Sequence, residues 1–249
     1  MFALLGSKNQ KKRTNDLIFQ IELELAMSPS AEEHLQKAVR LHQASDFKKG
    51  IKEAEEARKK FQKEDRKDRA IEALRVMGDC TLNARELKKA QKIYENLFAE
   101  GASISNVWFQ AAANWGLGQI SLHKMSYMSA LKYFQQGLEQ AQSVADNWYT
   151  AWNAFGLGNA LRGLARLDEA TKAYHLALEA FRAANQSTFV TWVERTLKEI
   201  GADVPDTGHG DGIPIWLCPM CGSKLTQAQG AALKAGNMTT CEYCGTAIG

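Results

Sequence analysis

The sequence predicts an all-α protein, a right-handed superhelix of paired helices, with a small β module at its C-terminal end. Only four prolines occur in 249 residues, and Ala, Leu, Lys, Glu and Gln, which favour helices, dominate up to about residue 200. Over the same region, small and apolar residues recur with a period of forty. Beyond it, Gly, Pro and Asp become frequent, and four of the five cysteines fall within residues 218–249.

Composition and charge exclude several classes of protein. With 45% hydrophobic and 24% charged residues, the chain is neither disordered nor a membrane bundle. A net charge of +3 is too small for a dedicated nucleic-acid binder. The apolar start, Met1–Leu5, is too short for a signal peptide, and no later apolar run reaches the roughly 18 residues of a membrane span. We therefore expect the protein to be cytoplasmic.

Residues 1–30 are predicted to form a basic arm followed by a helix. The arm carries four basic residues and no acid: Lys8, Lys11, Lys12 and Arg13. The apolar residues of 16–27 fit both a strand and a helix, and we favour the helix. Ser30 and Glu33 have the spacing of a capping box, so the next helix should begin at about residue 31.

The forty-residue period organises residues 31–200. One register holds Ala38, Gly78, Gly118 and Gly158, and another holds Ala54, Tyr94, Phe134 and Tyr174. Two helices approach closely where their facing side chains are small, and a large apolar residue fills the gap beside them. Each unit is therefore predicted to form two antiparallel helices, A and B, joined by a short turn. In the last unit, helix A should span about 147–163 and helix B about 167–183. Residues 187–200 begin the pattern again and should cap the array, with Thr191, Glu194, Arg195 and Lys198 facing water.

The stretch 155–170, Phe-Gly-Leu-Gly-Asn-Ala-Leu-Arg-Gly-Leu-Ala-Arg-Leu-Asp-Glu-Ala, followed by Tyr174 and Ala177, resembles the signature of the tetratricopeptide repeat family. The resemblance implies about four forty-residue repeats over residues 31–185 and a capping helix. The first repeat matches least, since Gly50 stands where the family prefers Ala. The usual period is 34 residues, so the resemblance also implies connections longer by about six residues and longer helices.

The resemblance further implies a binding surface, because helix A of each repeat lines a concave groove in this family. The corresponding positions here are Arg75, Asp79, Trp115, Gln119, Trp152, Phe155, Asn159 and Arg162. Aromatic rings beside amide and guanidinium groups suit an extended or helical peptide. For Trp115 and Phe155, packing between helices is the competing interpretation. Four further aromatic residues are assigned to packing: Trp108, Phe109, Trp148 and Tyr149.

The C-terminal cysteines form a metal-binding motif. They make two Cys-x-x-Cys pairs separated by nineteen residues: Cys218 with Cys221, and Cys241 with Cys244. Two such pairs supply the four thiolates that zinc prefers and leave no open position for catalysis. We expect one structural Zn²⁺ in a segment, 216–249, that resembles a zinc ribbon or rubredoxin, after a flexible linker over 201–215. Iron, a redox dithiol and disulfides are the alternatives.

No enzymatic activity is predicted, since the sequence shows no grouping of nucleophile, base and orienting residue and no phosphate loop. Cys80 is expected to be a small buried residue. The predicted function is a protein–protein interaction scaffold or adaptor, with a partner polypeptide in the groove and the zinc module as a second contact. One alternative is a membrane-apposed assembly adaptor that uses the N-terminal arm. Another is a nucleic-acid-associated factor, which the few basic residues of the zinc module disfavour.

Overall fold

The computed structural model describes residues 29–204 and most of residues 225–248. The N-terminal arm, on which the membrane alternative depends, and the helix predicted over 16–27 lie outside the described residues. None of the described helices combines the length and the apolar character that crossing a bilayer demands.

Within residues 29–204, nine helices follow one another. They are α1 (Ala31–Gln43), α2 (Phe47–Lys63), α3 (Lys67–Asn83), α4 (Leu87–Ser103), α5 (Val107–His123), α6 (Tyr127–Ser143), α7 (Asn147–Gly163), α8 (Leu167–Ala183) and α9 (Ser187–Glu199). Helices α2 to α8 are each seventeen residues long. Four helix pairs and a final single helix confirm the predicted repeat array, and α7 and α8 have the predicted bounds.

The connections between these helices are three residues each. The expectation of longer connections is therefore wrong, and the extra length of the forty-residue unit lies in the helices. In every connection the middle residue is left-handed, with φ between +52° and +62°. After α1, the Ser45 N–H donates to the carbonyl of His42 and the Asp46 N–H to that of Leu41. The Asp46 side chain also accepts a hydrogen bond from the Lys49 N–H. Asp46 therefore both closes the C-terminal turn of α1 and caps the N-terminus of α2.

The helices form two layers. The odd-numbered helices, the A helices, contact one another in the order α1, α3, α5 and α7, and the even-numbered B helices pack between them. Each helix also packs against its neighbours in sequence. The first helix begins with the predicted capping box, because Ser30 Oγ accepts from the Glu33 N–H at 3.2 Å and the Glu33 carboxylate accepts from the Ser30 N–H at 2.6 Å.

Aromatic rings of the B helices lie against glycines of the A helices. The ring of Phe134 packs on Gly118 in the same pair and on Gly156 in the next, where an added Cβ would overlap the ring. Tyr94 and Tyr174 occupy the equivalent places in the neighbouring pairs. The predicted pairing of a large ring with a small residue is therefore confirmed. The rings also contact a second set of glycines, which lie two residues before the predicted positions.

Cys80 is fully buried in α3, and burial together with the nearby Asp79 raises the pKa of its thiol to about 12. Its interpretation as a small buried residue is confirmed. A thiol in this environment is protonated at neutral pH and is a weak nucleophile.

The chain folds back after α9. Gly201 is left-handed, and the Ala202 N–H donates to the carbonyl of Leu197. Ala202 and Val204 pack on the core formed by α7, α8 and α9. Residues 201–204 of the predicted linker thus lie against the helices, and residues 205–215 lie outside the described part.

The described part of the C-terminal segment contains a helix, α10 (Gln227–Lys234), and two strands, β1 (Thr239–Thr240) and β2 (Ala247–Ile248). The strands pair antiparallel, with Thr239 opposite Ile248. Gln229 completes a capping box with Thr226, and its Nε2 donates to the carbonyl of Thr240 at 2.6 Å. The sequence predicts a β module. The structure differs because this capping box precedes a helix-favouring run rich in Ala and Gln.

Candidate binding groove

The A layer contains a cavity of about 520 Å³ that is bordered by all five A helices. This aromatic cavity is lined by Val39, His42, Gln43, Phe47, Arg75, Val76, Asp79, Asn83, Trp115, Trp148, Tyr149, Trp152 and Phe189. Helices from both ends of the array share one cavity, which requires the row of A helices to curve around it. The A layer is therefore concave.

A second cavity, of about 500 Å³, lies towards the C-terminal end of the array. This arginine cavity is lined by Leu82, Asn83, Trp115, Gln119, His123, Trp152, Phe155, Asn159, Arg162, Trp192, Arg195, Thr196 and Glu199. It shares Asn83, Trp115 and Trp152 with the aromatic cavity. The two cavities thus form one groove.

The structure brings all eight predicted groove residues to this surface. Arg75 and Asp79 line the aromatic cavity, and Trp115 and Trp152 line both cavities. The remaining four line the arginine cavity: Gln119, Phe155, Asn159 and Arg162. Their role in partner binding stays a prediction.

Arg75 and Asp79 are engaged with each other inside the protein. The Arg75 guanidinium donates to Glu72 through Nε at 3.0 Å and Nη2 at 2.6 Å, and to Asp79 Oδ2 through Nη1 at 2.6 Å. Asp79 Oδ1 accepts from the Tyr94 hydroxyl at 2.6 Å. Burial opposes the charge of Arg75, but the carboxylates of Glu72 and Asp79 hold its pKa well above the ordinary value. These contacts indicate a structural network at this end of the groove.

Asn159 is fixed differently. The Tyr174 hydroxyl donates to Asn159 Oδ1 at 2.8 Å, so the amide Nδ2 is left as a donor at the arginine cavity. Burial raises the pKa of Tyr174 to about 12, while Arg162 lowers it and Glu199 raises it. Both charged groups therefore act on the same hydroxyl.

The arginine cavity contains side chains that the protein itself leaves unpaired. Within the described residues, Gln119, Arg162 and Arg195 have no hydrogen-bond or ion-pair partner. Arg162 and Arg195 are exposed, and they come from α7 and α9. Unpaired donors in a concave surface are available to a ligand.

Trp152 is the centre of an aromatic cluster. Its ring contacts five others at centroid distances of 4.9 to 6.4 Å: Trp115, Trp148, Phe181, Phe189 and Trp192. Trp152 therefore packs the array as well as lining the groove. Phe155 contacts Tyr174 and stacks on Trp192, whose exposed fraction is 51%. Trp115 and Phe155 therefore make packing contacts, as the competing interpretation expects, and also line the groove.

The four aromatic residues assigned to packing contact other rings or the core. Trp108 packs edge-on against Phe109 and Tyr149, and its Nε1 donates to Asp146 at 3.0 Å. Trp148 and Tyr149 line the aromatic cavity as well.

Sequence reasoning missed the groove residues of the capping helix. Trp192, Arg195 and Glu199 stand forty residues after Trp152, Phe155 and Asn159, so one more step of the period identifies them. The sequence instead predicts that Arg195 faces water on the outside of a cap. Arg195 is exposed, but it lines the arginine cavity.

The comparisons with known proteins agree with this architecture. Residues 109–183 match the tetratricopeptide repeat family. This match covers most of α5 and all of α6, α7 and α8. The crystal structure of the apo form of RapI is similar over 73% of this chain and 68% of that chain, with a TM-score of 0.63 and 11% sequence identity. At that identity the likeness shows the fold alone, a tetratricopeptide-like solenoid. No curated protein matches the sequence.

Of the four cysteines predicted to bind zinc, Cys241 alone lies among the described residues. It is buried, and its N–H donates to the carbonyl of Thr246 at 2.8 Å. Within the described part of the chain, no three His, Cys, Asp or Glu side chains cluster as a metal site. The other three cysteines, Cys218, Cys221 and Cys244, lie outside it.

Proposed function

We propose that the protein is an interaction scaffold that holds a segment of a partner polypeptide in the groove of its A helices. The observation that supports this most is the continuity of the aromatic and arginine cavities through Asn83, Trp115 and Trp152. A groove along a row of helices, each about 8–10 Å from the next, is on the order of 30–40 Å long. That length suits an extended segment of roughly ten residues.

The chemistry of the groove also favours a polypeptide. Aromatic rings supply contact area, while the amides of Gln119 and Asn159 suit the N–H and C=O groups of an extended backbone. A small metabolite would need a more enclosed site, with most of its surface covered. The described groove instead spans helices from every repeat.

Affinity capture with the full-length protein tests this proposal. The informative variant is Gln119→Ala with Arg162→Ala, because neither side chain has an internal partner whose loss would disturb folding. Lys132→Ala with Lys172→Ala, on the exposed faces of two B helices, is the matched control. We expect the wild type and the control to capture the same proteins, and the groove variant to recover several-fold smaller amounts of them. Equal recovery by all three would contradict the proposal. Trp152→Ala is unsuitable, because its loss would disturb the aromatic cluster.

We also propose that residues 216–249 bind one structural zinc ion through Cys218, Cys221, Cys241 and Cys244. The spacing of the two Cys-x-x-Cys pairs supports this, since each pair can supply two thiolates to one side of a tetrahedral zinc ion. Bound zinc would supply stability that so small a segment lacks.

Elemental analysis should find one zinc per chain, and iron in its place would show visible absorbance. Chelation should leave the far-ultraviolet helical signal nearly unchanged, because residues 31–204 have their own core. A global loss of helix would contradict this.

A further inference from the structure

We propose that the arginine cavity is a carboxylate subsite, which takes an acidic side chain of the polypeptide bound in the groove. This inference rests on the proposed function and adds the chemistry of the partner at one position. It is carried by the charge distribution along the groove and by donors that converge in one cavity.

The two ends of the groove differ in charge. At the aromatic cavity, one cation, Arg75, pairs with two carboxylates, Glu72 and Asp79. These three groups have a net charge of one negative unit. At the arginine cavity, Arg162 and Arg195 face Glu199. The excess there is one positive charge.

Two further groups border the arginine cavity. His123 lines it, and burial together with the neighbouring Arg85 lowers the pKa of His123, which keeps the imidazole neutral at pH 7. Arg85 donates to His123 Nδ1 at 2.9 Å and adds positive charge at the edge of the cavity. Complementarity therefore favours a negative group at this end of the groove.

Glu199 does not occupy the subsite. No ion pair joins Glu199 to Arg162 or Arg195 within the described residues, although Arg195 stands one helical turn before it. Two guanidinium groups are thus left to an incoming carboxylate, which each of them can bind through two parallel N–H donors.

The remaining walls suit an acidic residue with an apolar neighbour. Asn159 Nδ2 is a third donor, held in place because the Tyr174 hydroxyl occupies the amide oxygen. Phe155 and Trp192 stack at a centroid distance of 5.9 Å and form an apolar wall beside the arginines. Excluding water there strengthens the attraction between a carboxylate and a guanidinium group. The preferred segment carries Asp or Glu close to an aromatic or aliphatic residue.

A random dodecapeptide display library, selected on the full-length protein, tests this preference. We expect the wild type to enrich peptides with Asp or Glu within two positions of a large apolar residue, at least twofold over the unselected library. The double variant Arg162→Glu, Arg195→Glu should lose this enrichment and gain one for Lys and Arg. Lys132→Glu with Lys172→Glu, the same charge change on two exposed B-helix positions, should select as the wild type does.

Binding measurements on one selected peptide give the quantitative test. Replacing its acidic residue by the amide should weaken binding to the wild type about tenfold. The single variant Arg162→Gln should bind the acidic and amide peptides alike. This conservative variant also serves if the double charge reversal fails to fold, which circular dichroism on each protein shows.

The possible failures are distinguishable. If the wild type enriches no peptide, the groove does not bind polypeptide, and the proposed function falls together with this inference. If it enriches peptides without an acidic preference, or if Arg162→Gln leaves the preference unchanged, the carboxylate subsite is wrong and the scaffold function stands.

Discussion

The hydroxyl of Tyr174 donates to Asn159 Oδ1 at 2.8 Å, and eighty residues earlier, two periods back, the hydroxyl of Tyr94 donates to Asp79 Oδ1 at 2.6 Å. In both cases a B-helix side chain reaches through the core to a groove residue of the preceding A helix. Between them, Phe134 stands in the register of the two tyrosines and has no hydroxyl to make the bond. The core of the second and fourth repeats therefore fixes a polar side chain at the groove.

Removing either hydroxyl should cost stability in proportion to the charge of its acceptor. We expect Tyr94→Phe to destabilise the protein by about 2 kcal/mol, because the partly buried Asp79 carboxylate loses a donor, and Tyr174→Phe by about 1 kcal/mol. Urea unfolding at pH 7 measures both. Tyr127→Phe is the control, since that hydroxyl has no hydrogen bond within the described residues, and its change should stay within about 0.5 kcal/mol. Equal losses at all three positions would contradict this reasoning.

Gly50 departs from the Ala of the later repeats because a sulfur atom occupies the space. A Cβ at Gly50 would lie 2.8 Å from Cys80 Sγ and 3.4 Å from the carbonyl oxygen of Ala38. We expect Gly50→Ala to destabilise the wild type by about 1–2 kcal/mol, despite the better helix propensity of Ala. In a Cys80→Ala background the same change should be neutral or stabilising. A double-mutant cycle from denaturant unfolding measures this coupling, and additive effects would mean that the sulfur is not the obstacle.

The left-handed residues of the connections offer a test of backbone strain. Ala145 has φ +52°, a conformation that glycine adopts without steric cost, and its side chain is exposed. We expect Ala145→Gly to stabilise the protein by about 0.5–1 kcal/mol. Ala102→Gly, the same substitution at an exposed helical residue, should destabilise it. Thermal melts of the two variants should therefore shift in opposite directions.

The sequence predicts the helix pairs well because the forty-residue period records contacts that recur, such as Phe134 on Gly118. Apart from the short turn between α7 and α8, it does not predict the three-residue connections. Their left-handed position is occupied by residues as different as Ser45, Arg85 and Met125, so no glycine signal marks where a helix ends. Helix α10 was also not predicted, because eight residues beside a cysteine motif give too short a pattern.

The groove could be predicted in position but not in detail. The period brings Arg75 and Arg162 to the same surface, yet it says nothing about their partners. Glu72 and Asp79 stand three and four residues from Arg75, a spacing that favours pairing on one helix, and this signal is visible in the sequence. Burial decides that these pairs form inside the protein, and burial depends on the packing of neighbouring repeats.

Acid should weaken the first repeat through Glu53. Hydrogen bonds from Lys37 and His34, each 2.6 Å long, lower the pKa of Glu53 from its ordinary value of 4.5. The stabilisation by this carboxylate is present above pH 4.5 and is lost as the pH falls through the lowered pKa. We expect Glu53→Gln to cost about 1 kcal/mol at pH 7 and progressively less as the pH falls below 4.5. Glu139→Gln, at an exposed position, should differ little from the wild type at either pH, as denaturant unfolding would show.

Two of the groove arginines, Arg75 and Arg162, should respond differently to the same substitution. Arg75→Met would leave the partly buried carboxylates of Glu72 and Asp79 without their cation, so we expect a loss of about 3 kcal/mol in the free energy of unfolding. Arg162→Met removes a side chain with no internal partner and should change stability by less than about 0.5 kcal/mol while weakening binding of acidic peptides. Urea unfolding and peptide anisotropy separate the two effects. If Arg162→Met were the destabilising change, the arginine cavity would be held together by its own charges, and Arg162 would not be available to a partner.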